Sequence, residues 1–298
     1  MIERLAVIGV GLIGGSLARA LRAGGAVGEV VGCGRSRANL ERAVELGVID
    51  HFRQDPAEAV AGADLIFLAV PLGAMREVFA AIRDHLRAGA VITDGGSVKG
   101  SVVADAIAAF GAPPSRLVPG HPIAGTEHSG VEASFPELYQ GRRVILTPLA
   151  ETDSGALALV GRMWRTCGAE VSCMEVAHHD EILAATSHLP HMLAFGLVDT
   201  LSRLRENDEI FRYAAGGFRD FTRIASSNPV MWRDIGIANR DALGAMLSRF
   251  SAEMADLAAT IRRADGAHLL EIFERAKAAR DRYVDRFATM SDTERDLE

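Results

Sequence analysis

Leu5-Ala6-Val7-Ile8 runs directly into Gly9-Val10-Gly11-Leu12-Ile13-Gly14, and this stretch decides the fold. Four apolar residues in succession read as a strand buried on both faces. The three glycines that follow have the spacing of a dinucleotide-binding turn, and residues 16–23 continue as a helix. In that setting Gly9 permits the tight turn, Gly11 the close approach of a pyrophosphate, and Gly14 the packing of helix on strand. The anion then lies at a helix N-terminus, where unpaired N–H groups and the dipole attract it. Leu12 and Ile13, within the turn, count with the glycines as cofactor contacts.

Outward from the turn, short apolar runs alternate with amphipathic stretches, as in a parallel α/β sheet. Val30-Val31 marks a second strand. Residues 64–70 form a continuous apolar run closed by Pro71, and Val70 and Pro71 are further expected cofactor contacts. Residues 90–94, 116–119, 144–147 and 170–172 supply the later strands. Beyond Cys173 the period changes. Leu243, Met246, Leu247, Phe250, Met254, Leu257 and Ile261 fall three and four apart, and a second series runs from Leu269 to Phe287. The expectation is a Rossmann-type dinucleotide-binding domain over residues 1–172 and an all-α domain over 173–298. Two long helices with so much apolar surface point to helix exchange in a homodimer, with an intramolecular bundle as the alternative.

Composition narrows the class. A chain of 298 residues, 49% apolar and 24% charged, suits two soluble globular domains. A net charge of −7 offers no basic stripe for nucleic acid. Three scattered cysteines fit a reducing cytosol, and no apolar run reaches the ~20 residues that span a bilayer. Neither a nucleic-acid nor a membrane partner is expected, and the location expected is cytoplasmic.

Cofactor choice turns on Gly32-Cys33-Gly34-Arg35-Ser36-Arg37 at the end of the second strand. An NAD site wants an acid here for the ribose 2′-OH. None is present. Arg35 beside the Ser36 hydroxyl suits a 2′-phosphate, which favours NADP over NAD.

Three polar clusters lie where ligands bind such sheets, beyond the strand carboxyl ends. They are Asp94-Gly95-Gly96-Ser97-Val98-Lys99, the stretch from Gly120-His121-Pro122 to Gly130, and Thr186-Ser187-His188-Leu189-Pro190-His191. Together with the glycine turn and Phe218-Arg219-Asp220-Phe221-Thr222-Arg223, in this order, the chain resembles the prephenate/arogenate dehydrogenase family of tyrosine biosynthesis. The resemblance covers essentially the whole chain. It implies a Rossmann domain, a helical substrate and dimerisation domain over 173–298, and NAD(P)-dependent oxidative decarboxylation of a small cyclohexadienyl substrate. By motif match, His121 is the catalytic base, and imidazole suits proton removal near neutrality. Ser97 orients that imidazole or the substrate hydroxyl beside the nicotinamide; capping the next helix is its alternative role. Arg223 receives a substrate carboxylate, unless Asp220 ties it into an ion pair. His191 contacts substrate, with His188 as a weaker candidate, and Thr126 and Glu127 line the pocket mouth.

His178, His179, His188 and His191 invite a metal reading, but their spacing matches no ligand motif and Pro190 interrupts helical phase between the last two. No metal is expected, and His178-His179-Asp180 reads as a helix start. His51, His85 and His268 read as surface positions. Two other readings are a related dehydrogenase acting on a hydroxy acid or imine, and a non-catalytic NAD(P)H-sensing dimer.

Overall fold

The structure, a computed structural model, describes residues 1–126, 128–205 and 207–295, the last eleven and residue 207 by backbone only. The chain folds as two compact units, Met1–Leu243 and Gly244–Glu298.

The first unit opens with β1 (Ile2–Ile8), α1 (Leu12–Ala23), β2 (Val27–Cys33), α2 (Arg37–Glu45), β3 (His51–Arg53) and α3 (Pro56–Val60). It continues through β4 (Leu65–Leu68), α4 (Met75–Ile82), β5 (Val91–Asp94), α5 (Lys99–Phe110) and β6 (Leu117–Val118). The six strands pair in parallel in the order β3-β2-β1-β4-β5-β6, which is the Rossmann-type sheet that the apolar runs predict. Alternation along each strand divides the core between two faces. Leu5, Val7, Leu65 and Phe67 point to one; Ala6, Ile8, Ile66 and Leu68 point to the other. Strand β3 has no apolar run to announce it, because it is a three-residue edge strand with exposed ends.

A second, three-stranded sheet joins β7 (Gly120–Pro122), β8 (Arg143–Leu146) and β9 (Glu170–Cys173), with α6 (Ser154–Thr166) before the last strand. Strand β7 runs antiparallel to β8 and sets His121 opposite Ile145. Its glycine and proline give it the sequence of a loop, so only the pairing reveals a strand. Trp164 of α6 is fully buried, edge-on to Phe67 at 5.6 Å and to Tyr139 at 5.0 Å. Such aromatic pairs contribute about 0.5–1.5 kcal/mol beyond area burial. The Tyr139 hydroxyl donates to the Ile13 carbonyl at 2.6 Å, so this core braces the start of α1.

The helical part begins with α7 (Val176–Leu183), a π turn over Ala184–His188, and α8 (Leu189–Ser202). The helix therefore does not stop at Pro190. Proline cannot donate to an i−4 carbonyl and crowds it; here the wider turn just upstream accommodates the ring, and the helix resumes. Next come α9 (Asn207–Arg212), α10 (Gly216–Thr222), α11 (Pro229–Ala238) and α12 (Arg240–Arg262). Trp232 and Ile235 of α11 join the same apolar core as Ile66, Leu68, Leu72 and Met75.

The second unit holds most of α12 and all of α13 (Gly266–Arg295), reversed at Ala264, whose φ is +53°. Met254, Ile261, Leu270, Phe273, Tyr283 and Val284 are exposed along it.

Candidate active site

The glycine turn is built by close approach. Gly9 has φ +103°, and a Cβ there would meet the Ala69 carbonyl oxygen at 2.3 Å. A Cβ on Gly14 would meet the Gly9 oxygen at 2.2 Å and Val7 at 2.7 Å. Around Gly11 there is open space: nothing lies within 4 Å of an added Cβ. Gly11 is also the N-cap of α1, with no side-chain cap and no acid in the first turn. An open cradle over uncapped amides fits the pyrophosphate of a dinucleotide. Val70 and Pro71 follow β4 beside the turn, the Val70 nitrogen 3.2 Å from a Cβ on Gly9.

Asn39, which the sequence did not single out, fastens this turn. Its side-chain amide donates to the Val10 carbonyl at 2.7 Å, and its oxygen accepts from the Val131 amide at 3.2 Å. Ser36 caps α2 by accepting from the Asn39 amide at 3.3 Å. Arg37 is engaged by Glu41 at 2.8 Å and lies over Phe52. Arg35 is exposed and, among the described residues, has no ion pair.

At the end of β5, Asp94 and Lys99 are fully buried and paired. One Asp94 oxygen also accepts from the Gly96 amide at 2.8 Å, and the other from the Gly120 amide at 3.1 Å. Lys99 Nζ donates to the Gly120 carbonyl at 2.6 Å. The α5 N-terminus is capped from far along the chain. Asp180 accepts from the amides of Lys99 and Gly100, each at 2.8 Å. Ser97 is therefore not the cap of α5. Its hydroxyl is half-buried and has no protein partner among the described residues.

Next to this clamp stands a line of side chains. Burial alone would raise the Asp180 carboxyl, but hydrogen bonds from His179 and the two amides hold it below its usual range. As a carboxylate it only accepts, so His179 Nδ1–H donates to it at 2.8 Å. In the tautomer that leaves His179 Nε2 as an acceptor, His121 Nδ1–H donates to it at 2.9 Å. His121 is left with a lone pair on Nε2. Burial, then the Lys99 charge and the neighbouring His179 and His188, push its pKa well below 6.5, so it stays in the base form.

A second group lies on the helical side. Asn239 donates to the Asp180 carbonyl at 2.9 Å, which fixes its nitrogen, and with the other hydrogen it donates to His188 Nδ1 at 3.0 Å. His188 must carry its proton on Nε2, a buried atom without a protein partner among the described residues. Burial lowers its pKa to about 4. His191 stacks on Trp232 at 3.6 Å and donates through Nδ1 to the Ser187 carbonyl at 2.9 Å. Burial lowers its pKa, opposed by that hydrogen bond and aided by the nearby Arg223 charge. Arg223 is exposed and forms no ion pair with Asp220. Thr126 is exposed, its hydroxyl accepting from the His128 amide at 3.2 Å. Glu127 lies outside the described residues.

Family comparison fits this geometry. A family model described as the nucleotide-binding domain of prephenate dehydrogenase matches residues 17–173, and one described as the prephenate dehydrogenase dimerization domain matches residues 175–275. The chain belongs to the prephenate dehydrogenase family. It is 41% identical to the cyclohexadienyl dehydrogenase of Zymomonas mobilis over 93% of this chain and 95% of that protein. It is 32% identical to the Bacillus subtilis prephenate dehydrogenase, over 94% and 76%. Among solved structures, the Aquifex aeolicus prephenate dehydrogenase with hydroxyphenyl propionate and NAD+ superposes with a TM-score of 0.87 at 38% identity, covering 94% of this chain and 98% of that one. The Synechocystis arogenate dehydrogenase gives 0.79 at 28%, over 94% and 100%.

In this member of the prephenate dehydrogenase family, the structure brings some of the motif residues together and leaves others apart. Gly9, Gly11 and Gly14 form the cradle, and His191 and Arg223 are electrostatic neighbours. Of the two partners expected for Ser97, the imidazole and the substrate hydroxyl, His121 Nδ1 is taken by His179, which leaves the hydroxyl of the substrate. His179, Asp180, Lys99 and Asn239 were not among the candidates. A helix start accounts for the His178-His179-Asp180 sequence, and no spacing signal ties it to residue 121. The one available hint was compositional: two histidines and an acid on a helix beside a stretch already rich in histidine.

Proposed function

We propose that this chain catalyses oxidative decarboxylation of prephenate, arogenate or both, yielding 4-hydroxyphenylpyruvate or tyrosine and CO2. The observation that carries the reading is His121 held as a neutral base, with Nε2 free, at the carboxyl end of the sheet that bears the glycine cradle. The nicotinamide cofactor, when bound, accepts the hydride from the ring carbinol carbon. His121 Nε2 takes the hydroxyl proton. His179 and Asp180 hold the tautomer that leaves Nε2 unprotonated, and the imidazolium formed is stabilised through that same line. Ser97, with an unengaged hydroxyl, orients the substrate oxygen. Arg223 receives a carboxylate, with His191 within reach of its charge, and His188, Thr126 and Glu127 are assigned to the substrate by motif match. Loss of CO2 aromatises the ring and needs no further catalyst.

Gly9, Gly11, Leu12, Ile13, Gly14, Val70 and Pro71 are assigned to the dinucleotide, which NADP fits better than NAD. Arg35, which among the described residues has no ion pair, stands beside the Ser36-capped N-terminus of α2, which has no acid in its first turn, and this supports a 2′-phosphate there. The division of labour falls at residues 172/173. The dimerization-domain match and the exposed apolar side chains of α12 and α13 support a homodimer. No helix among the described residues is long and apolar enough to cross a membrane.

The test is a two-by-two assay of prephenate or arogenate with NAD or NADP, followed at the absorbance of the reduced nicotinamide. Turnover of one substrate, faster with NADP, is expected. Silence in all four combinations from folded protein would discard this reading.

A further inference from the structure

The established line from Asp180 to His121 explains how the imidazole is oriented, but not why a lysine is fully buried beside it. Among the described residues Lys99 is the one fully buried cation. Burial lowers its pKa and Asp94 opposes that. A buried ion pair is weak evidence for stability, since well-packed apolar replacements are commonly neutral or better. A structural need for charge here must come from what the pair touches.

Both partners touch the same peptide groups. Lys99 Nζ donates to the Gly120 carbonyl at 2.6 Å, and the Gly120 amide donates to Asp94 at 3.1 Å. Gly120 immediately precedes His121, and a Cβ at Gly120 would lie 3.2 Å from the Asp94 carbonyl oxygen, so the strand is drawn close as well as bonded. The backbone of Lys99 acts at the other end of the line. Its amide donates to Asp180 Oδ1, the same oxygen that accepts from His179. One residue thus fixes the backbone of the base through its side chain and the far anchor of the imidazole line through its N–H. The hydrogen bonds close a ring: His121 to His179, to Asp180, to the Lys99 amide, and from Lys99 Nζ back to Gly120.

We propose that Lys99, with Asp94, is a positioning residue of the reaction: it clamps Gly120 so that His121 keeps its place in the imidazole line. The titratable groups facing His121 are Lys99 from α5, His179 from α7 and His188 from the π turn. Two of them are imidazoles; the third, Lys99, is held charged by Asp94 of β5, whose carboxylate also accepts from the Gly120 amide. Removal of the lysine raises the pKa of His121.

This inference rests on the function proposed above only in its kinetic arm. Lys99→Met and the neutral double variant Asp94→Asn/Lys99→Met are compared with wild type, the second avoiding a buried carboxylate left alone. With whichever substrate the wild type turns over, kcat is expected to fall about tenfold to a hundredfold in both variants. NADP dissociation constants, measured by calorimetry, should remain within about twofold, because the glycine cradle is untouched. The second arm needs no turnover. The His121 imidazole is titrated by NMR in histidine-labelled protein, with His121→Ala to assign its signal. In both variants its midpoint should rise, by about one unit, the double variant leaving no lone carboxylate to account for the rise, and the acid limb of the kcat/KM profile should move up with it. A merely structural lysine would leave that midpoint in place. Folded variants with kcat within about threefold of wild type and an unmoved His121 titration would overturn the inference. Wild type inactive on both substrates would overturn the function instead, and the titration would still decide the role of Lys99.

Discussion

The glycine cradle and the imidazole line, the two halves of the proposed site, are made in opposite ways. The cradle comes from six consecutive residues, 9–14, and its working groups are backbone amides and empty space. The line comes from β5, α5, β7 and α7, and its working groups are side chains brought together by tertiary contact. A site built of backbone needs only local conformation, so any residue larger than glycine spoils it. A site built of side chains depends on distant partners, and each of its members has an ordinary alternative role when seen alone.

Breaking the line at its reactive end should have the largest effect. His121→Ala is expected to lower kcat about 10²- to 10⁴-fold with KM changed little, in steady-state assays at saturating cofactor. A near-normal kcat would mean that another group takes the proton. Arg223→Ala probes the substrate side and should raise KM about a hundredfold, with a smaller loss in kcat. The inner members sharpen the contrast. Asp180→Asn removes the obligate acceptor of His179 and should cost about tenfold to a hundredfold in kcat. It also strips the carboxylate cap from α5, so its melting temperature is measured alongside.

On the cradle the same single methyl distinguishes two glycines. Gly11→Ala enters open space, so the melting temperature should hold while cofactor affinity falls several-fold. Gly9→Ala meets a carbonyl oxygen at 2.3 Å and a positive φ, and should lose stability outright. Equal effects at both positions would erase the distinction between space for ligand and space for backbone.

The smallest effect concerns pH. His188 titrates near pH 4 when folded and near 6.5 when unfolded, so the unfolded chain binds more protons between those values. Stability should therefore fall as pH drops from about 6.5 to about 4, and level out with respect to this group below that. His188→Gln should flatten the fall in melting temperature over that window. An unchanged slope would show that His188 is not the group responsible.

From the sequence alone came the strand, the turn and the parallel sheet, because period and glycine placement are local properties that packing only completes. The same holds for the long helices, whose three- and four-residue spacing survives as α12 and α13. His121, Arg223 and the SHLPH segment were legible through their motifs, as residue types whose chemistry has few substitutes. Tertiary structure decided the rest. It turned Gly120-His121-Pro122 from an apparent loop into a paired strand, because β8 supplies the hydrogen bonds its own sequence does not advertise. It carried Asp180 across to cap α5, and so made the helix start at His178-His179-Asp180 part of the imidazole line. A carboxylate near amides or imidazoles finds its partners by position in space, and no spacing along the chain records that position.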